Sequence, residues 1–425
     1  MDTRLAIEGG SPAIPDGLPA IGGGPGSQVL DEAEISAVTD LLRKAQLFRH
    51  GPDSQVRAFE KEAADWIGVR HALMVNSGTS ALVCGLHGLG VGPGDEVIVP
   101  GYTYIATAAA VASVGAVPII AEIDESLALD PREIAAKRTP RTRAVIPVYM
   151  QGVPGRVEAI MKAAGEAGLD VLEDCCQAIG ARYRGRVVGT FGKAGAWSLN
   201  YFKVITCGEG GLVFTDDYRL YERACFASDP ALPMWMRETI ATEGWEEAPF
   251  SANCFRPSEL LGGIARAQLA KLEGILRHTR SLKRTFLCAL EEPRGYTRQH
   301  VDDPEGDCGI SAAILVRDAA LARRYAQALT AEGLPCGTAH NEGFPDRHIY
   351  RFWDSILDRN WPHPRGGPWK HPAYQGDPGY SREMCPRTLD LLSRALRFGF
   401  NMRMTPAHAE QMARAINKVD RALGG

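Results

Sequence analysis

Three short stretches of this chain hold side chains whose types and spacing could do chemistry together. Lys203 is the lone charge in the first ten residues of WSLNYFKVITCGEGG (197–211), among aromatic and β-branched neighbours. Desolvation there penalises the ammonium, so the lysine either snorkels to solvent or offers a neutral, nucleophilic amine. Asp174 ends the apolar stretch of LEDCCQAIGA (172–181). A carboxylate so placed needs a partner, either the N–H groups of a following helix or a protonated ring nitrogen on a ligand. In VNSGTSAL (75–82), Ser77, Gly78 and Thr79 form a turn between a strand and a helix. Free N–H groups and hydroxyls at a helix start suit an anion, although Ser and Thr also cap helices routinely. Together the three features supply a phosphate cup, an acid for a pyridine nitrogen and an amine for an aldehyde. Pyridoxal phosphate requires all three.

The elements that must position these residues are legible around them. Strand-like runs are HALMVN (71–76), EVIVP (96–100), VPIIAEI (117–123), AVIPVYM (144–150) and DVLED (170–174). Their near-continuous apolarity is that of parallel strands covered on both faces. TSALVCGLHGLG, IATAAAVASVG and VEAIMKAAGEAG read as the intervening helices, each closed by glycine. Strand–helix–strand repetition implies an α/β fold with right-handed crossovers and a mostly parallel sheet. AGAWSLN (194–200) and GGLVFTD (210–216) are too close for a crossover helix and should pair antiparallel around the lysine. Two helices (31–45 and 54–68) precede the sheet, and PSELLGGIARAQLAKLEGILR forms a long one after it. A smaller α+β domain, expected to begin near residue 280, holds a strand at 309–317, the helix after it, and helices over 386–397 and 406–422. Residues 341–385, rich in Pro, Gly, His and Trp, read as a long ordered functional loop.

Composition narrows the function classes. The 425 residues are 45% hydrophobic and 23% charged, with 47 basic against 51 acidic residues and no basic block. That leaves no electrostatic case for a nucleic-acid or anionic-membrane partner. The first residues lack a signal-peptide layout and no apolar run is long enough to span a bilayer, so a cytoplasmic protein is expected. Ten cysteines without zinc-like spacing read as reduced thiols packed as small hydrophobes, and no metal site is expected.

The chain resembles the DegT/StrS-type aminotransferases of sugar and aminocyclitol biosynthesis, members of the fold-type-I pyridoxal-phosphate enzymes. The resemblance rests on NSGTSAL, GPGDEVIVPGYTYIATA (92–108), GAVPIIAEID (115–124), LEDCCQAIGA, WSLNYFKVITCGEGG and NCFRPSELLGGIARAQL (253–269), in that order. It implies a three-layer α/β/α large domain with a mostly parallel seven-stranded sheet over 1–279, including an N-terminal arm of about 1–30, and a small C-terminal α+β domain over 280–425. It implies that Lys203 carries the cofactor aldehyde and moves protons, and that Asp174 pairs with the pyridine nitrogen. Tyr104 would stack on the cofactor ring and Gln177 would lie near its 3-hydroxyl. Ser77, Gly78, Thr79 and Ser198 would hold the phosphate. Asn253 would reach that phosphate from a neighbouring subunit, so the active site would be shared in a homodimer. The implied reaction transfers an amino group from glutamine or glutamate to a ketone of a cyclitol or sugar.

Two departures fall where donor and ketone are expected to sit. Tyr149 replaces a histidine of the family pattern, and Asn200-Tyr201-Phe202 precedes the lysine. Lysine at 203 disfavours the family's sugar dehydratases, which have histidine there. His340, His348 and Arg351 are candidates for shaping the substrate side, against the ordinary alternative of loop charges. The rivals are a related elimination, oxidation or carbon–carbon bond-forming enzyme, and a cofactor-binding regulatory protein without turnover.

Overall fold

The computed structural model describes residues 4–425 apart from 21, 52, 231–246, 342 and 344. Its first unit opens with helices α1 (Glu32–Arg43) and α2 (Gln55–Ile67). Then come β1 (His71–Val75), α3 (Gly78–Gly88), β2 (Glu96–Pro100), α4 (Ala106–Ser113), β3 (Val117–Ala121), α5 (Pro131–Lys137) and β4 (Thr142–Val145). They are followed by α6 (Val157–Ala167), β5 (Asp170–Asp174), the small hairpin β6 (Arg182–Tyr183) and β7 (Arg186–Val187), β8 (Ala194–Ser198), β9 (Gly211–Thr215) and α7 (Tyr218–Ser228). The seven-stranded sheet has the order β1-β9-β8-β5-β4-β2-β3. Every pairing from β8 through β3 is parallel, and β9 runs antiparallel to both β8 and β1. This is the fold-type-I architecture, with the expected antiparallel pair flanking the lysine segment.

Alternation along each strand explains its unbroken apolarity. Val97 and Val99 pack into one helical layer while Ile98 packs into the opposite one. Val213 and its neighbours Leu212 and Phe214 divide in the same way. Both faces are covered, so the central strand positions are apolar and the buried polar residues, such as Glu96, Asp174 and Ser198, fall at strand ends. The edge strand β3 is covered as well. The Tyr380 hydroxyl donates to the Pro118 carbonyl at 2.6 Å and accepts from Trp369 Nε1 at 3.2 Å. The 341–385 segment thereby shields an edge that would otherwise template further pairing.

The 31-residue helix α8 (Glu259–Ala289) serves two cores. Ala265, Leu272 and Leu276 pack with Val56, Phe59 and Trp197, whereas Leu282 and Phe286 pack with Ile314, Tyr325 and Phe398. The packing passes from the first core to the second between Leu276 and Leu282, inside this helix. The second unit is an antiparallel sheet of β10 (Tyr296–Arg298), β11 (Ser311–Val316) and β12 (Ala395–Gly399). Around it lie α9 (Ala319–Ala331), α11 (Pro386–Arg394) and α12 (Pro406–Leu423), whereas the short α10 (Asp354–Leu357) packs Ile356 and Leu357 into the core of the first unit.

Three readings need correction. The helix expected over 386–397 stops at Arg394, because residues 395–397 pair with β11. Helix α5 is present although its seven residues carry too short an apolar period to stand out; Asp130 caps it and Pro131 opens it. The N-terminal arm also divides its contacts. Leu5 and Ile14 lie in the core of the second unit, where the backbone N–H groups of Ala6 and Ala13 each donate at 2.8 Å to the buried Glu332 carboxylate. Residues 24–26 instead lie on the lysine segment of the first unit.

Candidate active site

The sheet's C-terminal edge delivers the predicted residues, as open α/β sheets do at a change in strand order. Beyond β1, the Ser77 hydroxyl caps α3 by accepting from the Ser80 N–H at 3.1 Å. The N–H groups of Gly78 and Thr79, first in the helix, stay available to an anion. Gly78 is required by close approach: a Cβ there would stand 2.6 Å from Ser198 Cβ and 3.1 Å from Cys176 Sγ. Only glycine lets the end of β8 bring Ser198 against the start of α3.

Asp174 ends β5 and is 4% exposed. Its Oδ1 accepts from the Cys176 N–H at 3.0 Å and its Oδ2 from the Thr107 hydroxyl at 2.8 Å. The Thr107 hydroxyl in turn lies 2.7 Å from that of Thr103. The carboxylate is thus fixed by two donors, one from its own turn and one from α4. The reading of the residues missed Thr107. The signal was available, since Thr107 stands three residues beyond Tyr104 and lines the same cavity.

The lysine lies in the turn joining β8 to β9. Its N–H donates to Asn200 O at 3.0 Å, and its Nζ makes no hydrogen bond or ion pair with a described residue. The expected burial is only partial. Lys203 is half-buried, with Tyr201 and Phe202 beside it 44% and 70% exposed, because the turn projects at the mouth of a cavity. The arm braces it from behind: the Gly24 N–H donates to Tyr201 O at 3.0 Å, and a Cβ on Gly24 would lie 2.4 Å from Lys203 O.

One cavity of about 530 Å³ is lined by Ser77, Gly78, Thr79, Tyr104, Asp174, Gln177, Ser198 and Lys203. Thr107, Cys176, Asn200, Phe202, Glu209 and His348 also reach it. Gln177 is held there by accepting the Gln151 N–H at 3.1 Å. The volume falls in the range of ligand pockets. Its donor set fits pyridoxal phosphate: a helix N-terminus with serine hydroxyls at one end, a fixed carboxylate, and an amine with no protein partner.

Other expectations separate. Asn253 is exposed and is not brought to this cavity. Tyr149 does not reach it either, contrary to the expected place beside donor and ketone. It is fully buried, and its hydroxyl donates at 2.7 Å to Glu173 on the opposite face of β5. Glu173 also accepts from the N–H groups of Gly189, Phe191 and Gly192. Burial pushes its carboxyl above the usual range, with these four donations opposing the rise. Of the loop candidates His348 enters the cavity, whereas His340 packs on Phe352 and Arg351 pairs with Glu383.

The chain is similar to proteins already known. Residues 28–351 match the model of the DegT/DnrJ/EryC1/StrS aminotransferase family. The chain is 34% identical over 296 residues to the spore coat polysaccharide biosynthesis protein SpsC of Bacillus subtilis (strain 168), covering 68% of this chain and 72% of that one. It is 34% identical over 313 residues, 70% of either chain, to L-glutamine:2-deoxy-scyllo-inosose aminotransferase of Streptomyces kanamyceticus. Among solved structures, 3-amino-5-hydroxybenzoic acid synthase superposes with a TM-score of 0.75 at 26% identity, covering 94% of this chain and 98% of that one.

Proposed function

The chain belongs to the DegT/DnrJ/EryC1/StrS aminotransferase family, and from that premise we propose that it is a pyridoxal-phosphate-dependent transaminase moving an amino group from glutamine or glutamate to a ketone of a cyclitol or sugar. The observation that carries this reading is the convergence of Lys203, Asp174 and the Ser77–Thr79 turn on one cavity. The similarity to a glutamine:2-deoxy-scyllo-inosose aminotransferase supports the donor and the ring-ketone class. No described helix is long and apolar enough to cross a membrane, and we infer a cytoplasmic enzyme.

When bound, the cofactor supplies an electron sink and a temporary store for the amino group. The chain does the rest. Gly78 and Thr79 N–H groups with the Ser77 and Ser198 hydroxyls bind the phosphate, and Tyr104 covers the ring. The Asp174 carboxylate, aimed by Thr107 and the Cys176 N–H, keeps a proton on the pyridine nitrogen; Gln177 lies toward the ring's hydroxyl. The Lys203 amine would take the donor's α-proton at Nζ in the first half of the reaction and deliver a proton to the acceptor carbon in the second. Among the described residues its Nζ has no hydrogen-bond or ion-pair partner to compete for the lone pair. The exposed Asn253, and the exposed Tyr104 and Phe202 of the cavity lining, suit a homodimer in which each subunit completes the other's site.

The test adds glutamine, glutamate and alanine separately to the cofactor-loaded protein and follows the cofactor's absorption. Conversion to the pyridoxamine form by glutamine or glutamate is expected. No conversion with any donor would sink the transaminase reading in favour of elimination, oxidation or carbon–carbon bond formation.

A further inference from the structure

His348 reaches the cavity from a later segment of the chain, whose Ile349, Tyr350 and Trp353 pack into the core of the first unit. The segment carrying it runs antiparallel along the loop after β2. The Thr103 N–H donates to His348 O at 2.9 Å, the Ile105 N–H to Arg347 O at 3.0 Å, and Tyr102 bridges to Ile349. This stitching fixes the imidazole beside Tyr104, with ring centroids 5.3 Å apart and planes inclined at 51°. On its other side the imidazole Nδ1 lies 2.7 Å from Asp346 Oδ1, which also accepts the His348 N–H at 2.9 Å. Burial pushes the Asp346 carboxyl up, but the His348 hydrogen bonds and the nearby Arg397 hold it below the usual range. With Nδ1–H donated to Asp346 Oδ1, the tautomer this contact selects leaves its lone pair at Nε2. Nε2 makes no hydrogen bond with a described residue.

A hydrogen-bond acceptor backed by a carboxylate repels the carboxylate of an amino-acid donor and welcomes a hydroxyl. We propose that His348 is the residue through which this site reads a hydroxyl on the ketone's ring, accepting its proton at Nε2 and so selecting polyhydroxylated cyclic ketones. The inference rests on the transaminase reading and adds to it a division of labour: His348 serves the ketone half of the reaction and not the donor half.

The test measures the two halves separately on the cofactor-loaded full chain, as wild type, His348→Ala, His348→Gln and Asp346→Ala. Glutamine and glutamate probe the donor half, scyllo-inosose the ketone half, and myo-inositol serves as an unreactive competitor. His348→Ala is expected to leave the donor half within about twofold, and to raise both the half-saturating scyllo-inosose concentration and the myo-inositol inhibition constant about three- to tenfold, the loss of one hydrogen bond. His348→Gln, whose amide oxygen can accept, should recover most of that loss, and Asp346→Ala should fall between. Equal effects on both halves, or none on the ketone half, overturn the proposal while the transaminase stands. So does a wild-type protein that the donor converts but scyllo-inosose does not reconvert. Failure of every donor to convert the wild type instead removes the transaminase reading beneath it.

Discussion

The contact between Thr107 and Asp174 offers a perturbation whose size can be worked from the structure. Thr107 is 1% exposed, and its hydroxyl donates to an Asp174 carboxylate that is 4% exposed, at 2.8 Å. Thr107→Val keeps the shape and removes the donor. The buried carboxylate then retains only the Cys176 N–H, and the Thr103 hydroxyl loses the oxygen 2.7 Å away. A hydrogen bond to a charged group is worth about 1.5–3 kcal/mol. With an unfolding entropy near 2.1 cal/mol/K per residue, a chain of 425 residues loses roughly 1 °C of midpoint for each 0.9 kcal/mol. Scanning calorimetry of the protein without added cofactor should therefore show a drop of about 2–3 °C for Thr107→Val. Thr107→Ser, which keeps the hydroxyl, should recover most of it. The rise in midpoint on adding pyridoxal phosphate should also shrink in Thr107→Val, because the carboxylate is no longer aimed. A valine variant that melts with the wild type and gains as much from the cofactor would refute this account of Asp174.

Two further perturbations test the surrounding shell. Gly24→Ala would drive a Cβ to 2.3 Å from the Phe202 carbonyl carbon and 2.4 Å from Lys203 O, a backbone clash that no rotamer relieves. It should cost about 1–3 kcal/mol of stability and weaken cofactor binding with the protein still folded; unchanged affinity by fluorescence titration would show that the arm does not brace the lysine turn. Tyr149→Phe removes one of four donors to Glu173, whose carboxyl burial already raises above its ordinary value of 4.5. The folded state holds that proton more tightly than the unfolded one, so this group's contribution to stability is present below pH 4.5 and falls as pH rises through the folded value. The variant's deficit against wild type should therefore widen from acid toward neutral pH, and a constant deficit in urea melts across that window would contradict it.

Much of this was legible in the residues for a definite reason. Strands such as EVIVP and VPIIA are covered on both faces, and that leaves a continuous apolar record. A catalytic turn needs small or charged residues where a strand ends, and that leaves Ser77-Gly78-Thr79, Asp174 and Lys203. What could not be read depended on pairing and direction. Ala395–Arg397 has helical spacing but is claimed by β11, an interaction 80 residues distant that no local pattern records. Tyr149 lies beyond the end of β4, and it is its neighbour Val148, bridged to Asp174, that lines the cavity. His340, His348 and Arg351 looked alike as loop residues; His348 was singled out by its backbone pairing with Thr103 and Ile105, which joins segments some 240 positions apart.

The central claim, that this cavity binds pyridoxal phosphate on Lys203, is tested most directly by reductive trapping. The cofactor-loaded protein is treated with borohydride, digested and mapped by mass spectrometry. The account predicts one phosphopyridoxyl group per chain on the peptide containing Lys203, and none above background when Lys203 is replaced by alanine. A label spread over surface lysines, or settled on another residue while Lys203 stays unmodified, would contradict it.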